Sequence, residues 1–109
     1  MPETLRVGII GAGWPGQSHA KAYATAGGFK LAAVADLIPD RRKALMSEFA
    51  IPKEYPDAQA LLADRDINVV SICLPNHLHA PTTIAALKAG KHVLCERPPA
   101  LTAKEAKKI

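Results

Sequence analysis

Residues 5–16, LRVGIIGAGWPG, decide the fold, because a short apolar run ends there in a glycine-rich turn. The glycines Gly11, Gly13 and Gly16 have the spacing G-x-G-x-x-G. In such a turn the first glycine permits a sharp exit from a strand, and the second lets a pyrophosphate approach the backbone. The third lets the following helix pack closely on the strand. The stretch therefore predicts a dinucleotide site at the positive end of a helix.

The surrounding sequence strengthens a motif that is weak by itself. A β-branched run precedes the turn, a helical pattern follows it, and Asp36 ends the next apolar run about 20 residues past Gly16. A carboxylate there accepts hydrogen bonds from both adenosine-ribose hydroxyls and repels a 2′-phosphate, so we expect NAD rather than NADP. Two alternatives stay open. Arg41 and Arg42 could clamp a 2′-phosphate, and Asp36 could be only a cap at the end of a strand.

Pro15 departs from the usual glycine turn, because proline has no N–H group to offer a phosphate. Proline is nonetheless pre-shaped for the first position of a helix. We expect the cofactor to bind along Trp14 and Pro15, with the amides of Trp14, Gly16 and Gln17 covering the anion.

The composition is that of a globular domain, with 109 residues, 49% hydrophobic and 22% charged. No apolar run approaches the roughly 20 residues of a membrane helix, and no signal peptide is visible, so we expect a cytoplasmic protein without a membrane partner. The net charge of +4 is spread along the chain and aromatic residues are few, which argues against a nucleic-acid partner. Cys73 and Cys95 lie in apolar runs and are expected to be buried thiols rather than redox or nucleophilic groups.

Strand-like and helix-like segments alternate along the chain, which is typical of βαβ units. The predicted fold is α/β, a doubly wound parallel (Rossmann) sheet formed by residues 1–109 as one dinucleotide-binding domain. We expect strands at 5–10, 29–35, 67–74 and 91–96, an edge strand within 51–56, and helices at 81–89 and from 102. The last helix has only about two turns, where such a fold normally continues into another strand, so the domain is expected to be incomplete.

Polar residues follow the third long strand in the segment Leu74-Pro75-Asn76-His77-Leu78-His79. Carboxyl ends of parallel strands carry ligand groups, so we expect Asn76 and His79 to line the cofactor cleft, with loop or helix capping as the alternative. The pair His77 and His79 has no nearby cysteine or carboxylate that would complete a metal site, and no metal is expected.

The motifs together resemble the N-terminal domain of the Gfo/Idh/MocA oxidoreductases. The matching stretches are VGIIGAGWPGQSHA, VADLIPDR, CLPNHLHAPTTIAALKAGKHVLCERP and LTAKEA, which span essentially the whole chain. The resemblance implies hydride transfer between nicotinamide and a sugar- or polyol-type substrate. It also implies that Pro75, Asn76 and His79 belong to a nicotinamide-side loop and that Glu96 contacts the cofactor. Arg97 then occupies the position of the family's catalytic lysine.

Arg97 is a departure from the family pattern. Arginine does not give up its proton, so it can orient and polarise a substrate but cannot relay a proton. The resemblance implies that a histidine of a C-terminal domain, absent from this chain, moves the proton. That domain would also supply the substrate pocket and dimer contacts, so a sugar or polyol substrate and a homo-oligomer are expected only for a full-length form. The alternatives are a stand-alone, non-catalytic dinucleotide-binding module and a truncation that folds poorly.

Overall fold

The computed structural model describes residues 4–25, 27–74 and 76–95, with the backbone alone at residues 76, 94 and 95. It contains a five-stranded parallel sheet in the order β3-β2-β1-β4-β5. The strands are β1 (Leu5–Ile10), β2 (Phe29–Ala35), β3 (Lys53–Tyr55), β4 (Val69–Ile72) and β5 (His92–Cys95). The helices are α1 (Trp14–Thr25), α2 (Pro39–Phe49), α3 (Ala58–Leu62) and α4 (Asn76–Lys88). The predicted doubly wound Rossmann fold is confirmed.

The strand order reverses at β1, which pairs with β2 on one side and β4 on the other. Ile10, the last residue of β1, is in register with Ala35 and with Ile72, so three strands end at the same level. The connections that leave these ends therefore meet at one edge of the sheet. In a doubly wound fold this reversal opens the crevice in which ligands bind.

Both faces of the sheet are buried, as expected for parallel strands with near-continuous apolar sequence. On one face α1 and α2 pack against alternate strand residues that include Val7, Ile9 and Val34. On the other face α3 and α4 cover Val70 and Ile72. The sheet is thus a fixed platform for the loops at its carboxyl edge.

Two predicted boundaries were wrong. The third long strand pairs only over Val69–Ile72, because the amide of Ile67 bonds to Asp64 within the preceding turn. The following helix begins at Asn76 rather than at Pro81, which lies inside it. Proline is favoured in a first turn, which made Pro81 a reasonable start, but α4 tolerates the loss of one backbone hydrogen bond there. The helix predicted from Thr102 lies outside the described residues.

A charged cluster stabilises the connection from β3 to β4. Asp64 accepts hydrogen bonds from the Tyr55 hydroxyl at 2.6 Å and from the Lys53 ammonium at 3.1 Å. The Tyr55 hydrogen bond is the main cause that lowers the pKa of Asp64 to about 2. Nearby, the Lys91 ammonium donates to the carbonyls of Asp64 and Ile67 at 2.6 and 2.9 Å, and burial lowers the pKa of Lys91.

Candidate functional site

The three glycines of the turn have different surroundings. Gly11 has φ +100°, and a Cβ on it would lie 2.5 Å from the Cys73 carbonyl oxygen. A Cβ on Gly16 would lie 1.9 Å from the carbonyl oxygen of Gly11, so α1 rests directly on the turn. At Gly13, in contrast, no atom comes nearer than 3.7 Å to the Cβ position. The outer glycines are thus required by backbone packing, whereas a Cβ on the middle one would make only ordinary van der Waals contact, with the side chains of Arg41 and Pro15.

Backbone amides without a described acceptor lie in and next to the glycine turn. In the described part of the chain the N–H groups of Gly13, Trp14 and Gly16 donate to no protein acceptor, and Pro15 has no N–H. The expectation that Gln17 also covers an anion was wrong. Its amide donates to the Gly13 carbonyl at 3.0 Å, which is the first hydrogen bond of α1. Three free donors at the positive end of a helix can bind an anion.

Asp36 joins the end of β2 to the glycine turn. Its Oδ2 accepts from the Ala12 amide and its Oδ1 from the Ile38 amide, both at 2.8 Å. The carboxylate therefore does cap the strand end, as one of the alternatives held. A carboxylate has about four acceptor sites, so half of its capacity stays available for ribose hydroxyls. The capping and ligand-binding interpretations of Asp36 are compatible.

The two neighbouring arginines have separate environments. Arg42 donates from Nε to Glu54 at 2.8 Å and from Nη1 to the Asp36 carbonyl at 2.7 Å, which commits it to the protein. Arg41 is exposed and its side chain forms no hydrogen bond or ion pair with any described residue. Its Nη1 is the atom 3.7 Å from the Cβ position of Gly13. Only Arg41 is therefore available to a ligand at the glycine turn.

The loop after β4 lies at the same edge of the sheet. Cys73 is buried and its amide donates to the Ile10 carbonyl at 2.8 Å, which holds the start of this loop beside β1. His79 is half-buried in the first turn of α4, and His77 is exposed. The side chain of Asn76 and all of Pro75, Glu96 and Arg97 lie outside the described residues. Their expected roles stay predictions.

Sequence reasoning did not identify a polar contact between α1 and β4. His19 Nδ1 lies 2.5 Å from the hydroxyl of Ser71, which is completely buried. Burial raises the pKa of Tyr23 in the same cluster, and its hydrogen bond with Ser71 opposes that shift. A serine within the apolar run INVVSICL needs a partner, because buried hydroxyls are almost always hydrogen-bonded. The serine in this run was therefore the sequence signal for a buried polar contact.

The described residues contain no group of three His, Cys, Asp or Glu side chains that could hold a metal ion. Among the helices of this part of the chain, none has the length and apolar character needed to cross a membrane.

Comparisons with known proteins agree with this architecture. Residues 5–109 match the family model described as "Oxidoreductase family, NAD-binding Rossmann fold". The chain is 39% identical over 108 residues to inositol 2-dehydrogenase of Salmonella typhimurium, covering 97% of this chain and 32% of that protein. It is 41% identical over 106 residues to D-glucoside 3-dehydrogenase of Escherichia coli, covering 96% and 30%.

A solved structure gives the same result. Scyllo-inositol dehydrogenase from Lactobacillus casei, with bound NAD(H) and scyllo-inositol, superposes with a TM-score of 0.83 at 30% identity, covering 97% of this chain and 32% of that one. The chain thus spans about a third of the length of the curated relatives it matches. It belongs to the Gfo/Idh/MocA family of oxidoreductases and has the family's NAD-binding Rossmann fold.

Proposed function

We propose that this chain binds NAD(H) at the carboxyl edge of its sheet, as the cofactor half of a dehydrogenase of polyols or sugars. The observation that carries the proposal is the link between Asp36 and the glycine turn. The carboxylate accepts a hydrogen bond of 2.8 Å from the amide of Ala12, the residue before Gly13. Such a link fixes the ribose-binding carboxylate relative to the phosphate-binding turn.

The residues present fit a nicotinamide dinucleotide. The free amides of Gly13, Trp14 and Gly16 are suited to the pyrophosphate, with Pro15 shaping the start of α1. When bound, the nicotinamide supplies the hydride chemistry. The chain's own part would be to hold the dinucleotide at the strand-order reversal.

NAD is the proposed cofactor, with NADP disfavoured. The negative charge of Asp36 at the end of β2 would repel a 2′-phosphate, and the charge of the nearby Arg42 is already paired with Glu54.

We further propose that Pro75, Asn76, His79 and Glu96 contact the nicotinamide half of the cofactor. Arg97 would orient the substrate hydroxyl, and because arginine keeps its proton, a different group must accept the proton that leaves that hydroxyl. The relatives' names give inositol and D-glucosides as substrates, which are polyhydroxylated rings. A substrate of that class and a homo-oligomer are proposed for the full-length protein. A cytoplasmic location is proposed as well.

A second candidate is a dinucleotide-binding module without catalysis, favoured by the arginine at position 97. Calorimetric titration of the protein with NAD⁺ and NADP⁺, followed by turnover assays on a panel of inositols and hexoses, separates the two. NAD⁺ binding with turnover supports the dehydrogenase. Binding without turnover of any polyol favours the module, and no binding of either dinucleotide at millimolar concentration overturns both.

Asp36→Asn tests the proposed cofactor preference. An amide keeps one acceptor but presents an NH₂ group to the other backbone donor, so NAD⁺ affinity should fall by about tenfold or more, the loss of one charged hydrogen bond. NADP⁺ affinity should fall much less, because the repulsion of the 2′-phosphate is removed. Asp40→Asn, an exposed acid in the first turn of α2, is the matched control. Equal losses for both cofactors would contradict the assigned role.

A further inference from the structure

The glycine turn has a gap in its ring of donors. Pro15 lies between Trp14 and Gly16, and its Cδ takes the place of the amide hydrogen. This carbon lies 4.0 Å from the Cβ position of Gly13, so the blocked donor lies beside the middle glycine of the turn. An anion bound at Gly13 would therefore contact an apolar ring carbon where other residues would offer an N–H donor.

A cation also lies near Gly13. Arg41 Nη1 lies 3.7 Å from the Cβ position of Gly13, on a different element from Pro15. The Arg41 amide donates to Ile38 in the first turn of α2, which anchors the backbone, while the guanidinium has no partner among the described residues. Its neighbour Arg42 is held by Glu54 and the Asp36 carbonyl and cannot take this position.

We infer that Arg41 donates a charged hydrogen bond to the cofactor's pyrophosphate, in place of the amide that Pro15 lacks. The inference rests on the proposed binding of a dinucleotide at this turn. A guanidinium offers five donors in a planar fork and pairs well with phosphate oxygens. One arginine can thus replace the single backbone donor and add a positive charge that the backbone donor did not have.

A 2′-phosphate is the other phosphate that Arg41 could meet, and it would be present only in NADP. The position of the guanidinium at Gly13, where the pyrophosphate binds in a glycine turn, favours the pyrophosphate. Asp36 also disfavours a 2′-phosphate in this pocket. The two sources differ in a measurable way, because a pyrophosphate contact affects NAD⁺ and NADP⁺ alike.

A double-mutant cycle tests the inference. Calorimetry on the protein at its natural length gives the dissociation constants of NAD⁺ and NADP⁺ for the parent, Arg41→Gln, Pro15→Ala and the double variant. Lys43→Gln, which removes an exposed charge from the same helix, is the control. Thermal unfolding of each variant shows that it is folded at the temperature of the titration. Repeating the NAD⁺ titrations at high salt shows how much of each loss is screened.

Arg41→Gln should weaken NAD⁺ binding by about tenfold, the loss of one charged hydrogen bond, and should reduce its salt dependence. Lys43→Gln should change NAD⁺ binding by less than about twofold, as expected for an exposed charge that has no partner among the described residues. In the Pro15→Ala background, where an amide is restored, the loss from Arg41→Gln should shrink to about threefold or less.

Three results would overturn the inference while leaving the proposed function intact. In the first, the parent binds NAD⁺, and the Arg41→Gln and Lys43→Gln variants have the same dissociation constant for it. The second is a loss confined to NADP⁺, which would assign Arg41 to the 2′-phosphate. The third is an equal loss in both Pro15 backgrounds, which would show that Arg41 does not substitute for the missing amide. A parent that binds neither cofactor would instead overturn the proposed function itself.

Discussion

Gly16→Ala should damage both the stability and the cofactor affinity of this protein, although alanine is the better helix former. The added Cβ would lie 1.9 Å from the Gly11 carbonyl oxygen and 2.9 Å from its carbon, both backbone atoms. A Cβ atom practically never comes within 3.0 Å of a heavy atom outside its own residue and its chain neighbours. The helix α1 and the turn must therefore separate by about 1.1 Å. No side-chain rotation can relieve this contact.

The steric effect outweighs the gain in helix propensity. Replacing glycine by alanine stabilises a helix interior by about 1 kcal/mol and less in a first turn. Overpacking a well-packed contact costs about 1–3 kcal/mol, and here the clash is with backbone. With the gain in helix propensity subtracted from the steric cost, the free energy of unfolding should fall by about 1–2 kcal/mol.

The effect on cofactor binding should be larger. Gly13, Trp14 and Gly16 carry the free amides, and a displacement of about 1 Å moves donors of this kind outside hydrogen-bond distance of a fixed phosphate. Loss of one charged hydrogen bond corresponds to roughly tenfold or more in affinity. Calorimetric titration with NAD⁺ and urea unfolding measure the two effects separately.

Two other glycines provide matched controls. Gly27 has no atom within 4 Å of its Cβ position, and its φ lies outside the left-handed region, so Gly27→Ala should resemble the parent in both assays. Gly28 has the same free space but φ +90°, so Gly28→Ala should lose stability through backbone strain and keep its NAD⁺ affinity. If Gly16→Ala matched Gly27→Ala in both assays, the close contact between α1 and the turn could not be a requirement of this fold.

Three further predictions concern hydrogen bonds that stabilise the fold. Ser71→Ala should destabilise the protein by about 1–2 kcal/mol in urea unfolding, because His19 loses its buried hydroxyl partner. The pKa of Asp64 is lower in the folded protein than in an unfolded aspartate, so its contribution to stability should be complete above about pH 4 and vanish as the pH falls towards 2. Tyr55→Phe should raise the pKa of Asp64. Asp64→Asn should remove the dependence of the urea midpoint on pH in this range. Lys91→Met should cost about 1–3 kcal/mol in urea unfolding, because two carbonyls lose their donor, and a variant as stable as the parent would show that water replaces the ammonium.

Strands β1 and β2 could be predicted to the residue, because the signals at their ends are local, whereas the bounds of β4 could not. Gly11 ends β1 and Asp36 follows β2, and both strands have the predicted bounds. The start of α4 could not be predicted in this way. Pro81 is a legitimate helix start by its own preference, and only the contacts of the whole helix with β4 and β5 decide that the helix begins earlier.

The roles of Arg41 and Arg42 could not be separated from sequence, because adjacent residues share every local property. On a helix they point about 100° apart. This rotation directs Arg42 to Glu54 on β3, while Arg41 reaches the glycine turn. The position of Glu54 on the edge strand β3 thus determines which arginine is available to a ligand, and this position depends on contacts between distant parts of the chain.

Capping and ligand binding do not exclude each other at Asp36. A carboxylate that bound only a ribose would be free to rotate before the cofactor arrived, and ordering it would reduce affinity. The Ala12 and Ile38 amides hold both oxygens at 2.8 Å and leave further lone pairs open. Capping therefore orients the carboxylate in advance, and it would tie the proposed ribose contact to the turn that is proposed to bind the pyrophosphate. Because Asp36 and the glycine turn share this hydrogen bond, damage to either one should weaken cofactor binding at the other.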